Sequence, residues 1–121
     1  MTRVRIIAAR PSTRPGRSAA VWVPVVRRDG RAAALVERGE LCTARRIGEW
    51  LSRFSDAAKP GMVGLVPGED AGGPGWWVLS GAGEMAEPPL WRLERSLGAA
   101  VRVCATRGIS RLIVELPADG G

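Results

Sequence analysis

The stretch "WWVLSGAGEMAEPPLWRLERSLGAAVRVCATRGISRLIVELP", Trp76 to Pro117, decides the fold. It opens on an apolar run and passes through Gly81-Ala82-Gly83. A long segment of helical period follows, and then a second apolar run, Arg111–Pro117. Leu90, Leu93, Leu97, Val101 and Cys104 trace one apolar stripe, with Arg92, Arg95, Arg102 and Thr106 facing elsewhere. The spacing predicts a helix over Pro88–Arg107, with Pro88 and Pro89 in its first turn, Glu87 at its positive end and Gly108 as terminator. Strand, helix, strand is a βαβ unit, which implies parallel strands and a right-handed crossover.

Further elements extend the sheet. Thr2–Ala8 alternates arginine with apolar residues, the pattern of a half-buried strand, and Arg10–Ser18 is a loop. "AVWVPVV", Ala20–Val26, reads as a strand buried on both faces, with Pro24 at a bulge or an unpaired position. Arg31–Gly39 looks like a short helix closed by Gly39. Ile47, Trp50, Leu51 and Phe54 lie on one face of a second helix capped by Thr43. "MVGLVP" and "WWVLS" are strands, and the latter sends Trp76 and Trp77 to opposite faces. The expected order is β-β-α-α-β-β-α-β. It forms an α/β fold, a mixed sheet of about five strands with helices on both faces. Residues 1–121 read as a single domain, with 1–18 a basic first strand and loop and 118–121 a tail.

Charge is concentrated at the start. Residues 1–31 hold eight arginines against Asp29, whereas the remaining residues carry ten basic and eleven acidic side chains. The overall +6 therefore belongs to the N-terminal quarter. Nonspecific nucleic-acid contact is expected through Arg3, Arg5, Arg10, Arg14 and Arg17, if anywhere. Trp22 is the single aromatic in that quarter and lies inside an apolar strand, so no stacking platform accompanies the charge.

Chemistry has little to work with. The chain has no histidine and no tyrosine, and neither Cys42 nor Cys104 has a CxxC partner. Both read as reduced, buried thiols. No catalytic residue, metal site or cofactor is assigned. No apolar run is long enough to span a membrane, and a cytoplasmic chain is expected. Read literally, Gly81 to Ala86 satisfies G-x-G-x-x-A, a dinucleotide fingerprint. The predicted helix starts several residues too late, on prolines without N–H groups, and Glu84 and Glu87 would repel a phosphate. The glycines then read as a turn leaving a buried strand.

The segment 76–117 resembles the N-terminal domain of the leucyl aminopeptidase family, in which an apolar strand ends in a glycine turn, usually Gly-Leu-Gly. There too a helix rich in Arg and Ala follows, then Gly and a short strand ending in Pro. "AAVWVPVV" is similar to that family's opening strand. The resemblance implies a macro-domain-like fold and a role in assembly, as a homo-oligomer or beside a separate catalytic aminopeptidase domain. The family's two-metal site and Asn-Thr-Asp-Ala-Glu-Gly-Arg signature are absent from this sequence, so peptidase activity is not implied. Two other readings stay open. One is a macro-type module binding ADP-ribose or a nucleotide at Ser80, Gly81, Ala82 and Gly83. The other is the nucleic-acid contact through the N-terminal arginines.

Overall fold

The structure, a computed structural model, describes residues 2–9, 16–35, 41–68 and 73–115. Its elements are β1 (Arg5–Ala8), β2 (Ala19–Arg28), β3 (Arg31–Ala34), α1 (Leu41–Arg53), β4 (Val63–Pro67), β5 (Trp76–Gly83), α2 (Leu90–Arg107) and β6 (Arg111–Val114). The fold is α/β. A mixed sheet runs β1-β6-β2-β5-β4, with β3 beside the later half of β2. β1, β6, β2 and β5 are mutually parallel, and β4 closes the far edge antiparallel to β5. The βαβ unit is present, but β2 lies between its two strands.

β2 is the spine. Its residues Ala19, Val21, Val23 and Val25 pack with Ile47 and Leu51 of α1, together with Trp77, Leu79 and Ile113. Ala20, Trp22 and Val26 point the other way and pack with Leu93, Ala100 and Cys104 of α2, with Val78 and Leu112. Alternation along one strand thus builds two cores, one under each helix. Each fully buried large side chain stabilises by about 1.5–3 kcal/mol.

Pro24 sits where its missing N–H costs nothing. On one flank β2 pairs with β6 as far as Val21 and with β3 from Val25 onward, so Pro24 lies between two partners. Its carbonyl on that flank accepts from the Leu35 N–H at 2.9 Å.

Four expectations need correction. Arg31–Ala34 is not the start of a helix but β3, a hairpin partner of β2 through Asp29-Gly30. Both turn residues have positive φ, 51° and 75°, the conformation that Asp-Gly accepts in a two-residue hairpin turn. Gly39, the expected terminator, lies outside the described residues, as does the 118–121 tail. Thr43 is not an N-cap, because α1 already begins at Leu41. Gly81-Ala82-Gly83 is not a turn either: all three continue β5.

The reason for the last lies opposite. The Gly81 N–H donates to the Met62 carbonyl and the Gly83 N–H to the Ala58 carbonyl, each at 2.9 Å. A Cβ on Gly81 would overlap the Lys59 carbonyl. The glycines let the 57–62 backbone lie against the strand end. Residues 84–89 then lead into α2, which starts at Leu90 after an extended Pro89, so the prolines precede the helix rather than form its first turn. α2 ends as expected on Gly108, at φ 75°.

One buried polar cluster joins β2, β5 and α2. The Trp22 indole N–H donates to Ser80 Oγ at 2.7 Å, and Ser80 Oγ lies 2.6 Å from Ser96 Oγ and 3.0 Å from the Ser96 carbonyl. Ser96 Oγ donates in turn to the Ser80 carbonyl at 3.1 Å. Ser80→Ala strands the indole N–H and is expected to cost about 1–3 kcal/mol in urea unfolding. Ser96→Ala should cost less, since Ser80 keeps the Ser96 carbonyl as acceptor. A larger cost for Ser96→Ala would contradict this donor scheme.

Candidate functional site

In open α/β sheets, ligands bind beyond the carboxyl ends of the strands. At that end of β5 a groove of about 430 Å³ lies between α2 and the 57–62 segment. α2 contributes Trp91, Arg92, Arg95 and Arg102 to its wall. The other lining residues are small or rigid, among them Gly61, Gly81, Ala82 and Ala99. Helical geometry makes the wall: Arg95 and Arg102 are two turns apart on one face, with Ala99 between them and Arg92 beside.

The wall is cationic. Among the described residues, no carboxylate pairs with Arg92, Arg95 or Arg102. Arg92 instead lies over the Trp91 ring, 4.9 Å from its centroid. The nearby Glu84 is held by Arg27 at 3.2 Å. α2 has no acidic residue in its first turn.

The residues expected to bind a ligand divide. Gly81 and Ala82 line the groove, but Ser80 is buried in the hydroxyl cluster and Gly83 does not line it. The N–H groups of Gly81 and Gly83 are already donated to backbone carbonyls. What lines the groove with charge is the α2 arginines, which sequence reading placed merely off the apolar stripe. Their shared face was readable from the spacing of 92, 95 and 102. That a groove lay beside it was not, because the 57–62 segment comes from elsewhere in the chain.

Of the N-terminal arginines, the described Arg3, Arg5 and Arg17 do not line this groove. Arg3 and Arg5 are exposed, Arg5 on the edge strand β1. Arg17 donates to the Gly68 carbonyl at 3.2 Å, and Arg10 and Arg14 lie outside the described residues.

Among the described residues, no cluster of three Cys, Asp or Glu side chains stands ready to hold a metal ion. No helix among them is long and apolar enough to cross a membrane. Trp77 is buried and Trp76 is 36% exposed, so only one of the adjacent tryptophans reaches the surface. No family model matches the chain, and no curated protein matches it.

Cys104 is a free thiol, fully buried on the core-facing side of α2. Burial pushes its pKa from 9.0 up to about 11. The folded state therefore holds this proton more tightly than the unfolded chain does. The stabilisation is complete below pH 9 and is lost as pH rises towards 11. Unfolding midpoints measured across that window should fall for the wild-type chain and fall less for Cys104→Ala; identical pH slopes would refute the assignment.

Proposed function

We propose that this chain is a non-catalytic α/β module, resembling the N-terminal domain of leucyl aminopeptidases, that works through protein contact. The partner we assign is a second copy of the same chain. One observation carries the reading: the first turn of α2 holds Leu90 and Trp91 out in solvent, 63% and 52% exposed. By period Leu90 belongs to the apolar stripe of α2, yet it does not enter the core. Met85, 37% exposed, precedes it by five residues. Large apolar side chains gathered on a surface favour association, and closed two-fold dimers are its commonest form.

The absence of histidine and tyrosine from the sequence supports the non-catalytic part. So does the burial of Cys104, whose raised pKa keeps it a neutral thiol rather than a nucleophile.

Sedimentation velocity over a range of concentrations tests the contact. The wild-type chain is expected to populate a dimer that Leu90→Ser with Trp91→Ser abolishes. A monomer at every concentration would sink the self-pairing. Hydrolysis of leucyl-p-nitroanilide by the purified chain with manganese or zinc would sink the non-catalytic claim.

A further inference from the structure

The arginine wall of the groove is an arrangement that the isolated chain has reason to avoid. Arg92 and Arg95 are three residues apart on one helix, where like charges repel. Both also stand near the start of α2, the positive end of its dipole, where cations are unfavourable. Arg102 adds a third cation on the same wall, which spans about 15 Å of helix from 92 to 102. Among the described residues, no carboxylate pairs with any of them. An anion in the groove would relieve every one of these terms together.

The groove also bounds the size of that anion. At about 430 Å³ it falls in the range of small-molecule sites. Its floor favours close approach, since Gly61, Gly81, Ala82 and Ala99 carry little or no side chain. The planar guanidinium fork suits phosphate oxygens, which it can bind in pairs.

We propose that the groove between α2 and the 57–62 segment binds a polyphosphate chain through Arg92, Arg95 and Arg102. The glycine N–H groups of β5 take no part, since they are bonded to Met62 and Ala58. The polyphosphate can be free or carried on a nucleoside. Trp91, at the rim, is the group that a nucleoside base would meet.

Isothermal titration of the full chain at low salt with ATP, sodium tripolyphosphate and adenosine tests this. ATP and tripolyphosphate are expected to bind and adenosine to give no heat. Equal affinities would identify the phosphate chain as the whole ligand, and tighter ATP would add the base at Trp91. Arg95→Glu and Arg102→Glu, both on the exposed helix face, should each weaken binding at least about tenfold. Arg45→Glu on α1, across the sheet, carries the same charge change and should leave binding within about twofold. Thermal melts confirm that each variant is folded. The proposal is overturned if neither phosphate ligand binds, or if Arg45→Glu weakens binding as much as the groove variants do. Binding unaffected by Arg95→Glu and Arg102→Glu would overturn it equally.

Discussion

The hydrogen bond from the Trp22 indole to Ser80 fixes the arrangement of this molecule. An indole this deeply buried needs a partner for its N–H, and the sheet supplies one from the neighbouring strand at 2.7 Å. Ser80 has a second valence, and it is spent on Ser96 of α2. β2, β5 and α2 are thereby set against one another at a defined height. Apolar packing alone tolerates sliding of a helix over a sheet, whereas paired hydroxyls do not. The face of α2 that meets the sheet is decided at Ser96, and the face that carries Arg95 and Arg102 follows from it.

The same constraint explains the groove. With Ser96 pinned to Ser80, the next residues of β5 are Gly81 and Ala82, too small to fill the space beside α2. The 57–62 backbone closes the far side because Gly81 and Gly83 bond to it. A larger side chain at 81 would collide with the Lys59 carbonyl and push that wall away. The groove is a by-product of close backbone approach on one side and a hydroxyl lock on the other.

Much of the fold was legible. The unbroken apolar, valine-rich run of Ala20–Val26 has no polar face, and only a central strand can bury both sides. The period of α2 and its Gly108 terminator were equally plain. Local pattern failed where tertiary contact or turn chemistry decided. "RAAALVERG" has helix-forming residues, yet Asp29-Gly30 just before it imposes a hairpin, and β2 offers a free flank to pair with. Gly81-Ala82-Gly83 reads as a turn because glycine usually marks one; here it marks a strand crowded by another backbone. The arginine wall was visible as spacing but not as a site, since the wall opposite α2 comes from a loop preceding β4. Leu90 shows the opposite limit: its position in the period is right, and the helix begins too far from the core for it to be covered.

The edge strand β1 gives the basic N-terminus a second meaning. β1 spends its backbone bonds on β6, with Arg5 and Ala9 donating to Ser110 and Val114. Among the described residues no strand pairs with its other flank, which runs beside an exposed Ile6, the kind of edge that recruits further strands. Arg3 and Arg5 stand exposed along it. Two such edges cannot approach without bringing guanidinium against guanidinium, so the charge works as a guard against stacking sheet upon sheet. Neutralising these arginines, whether by a polyanion or by substitution, would unlock that edge.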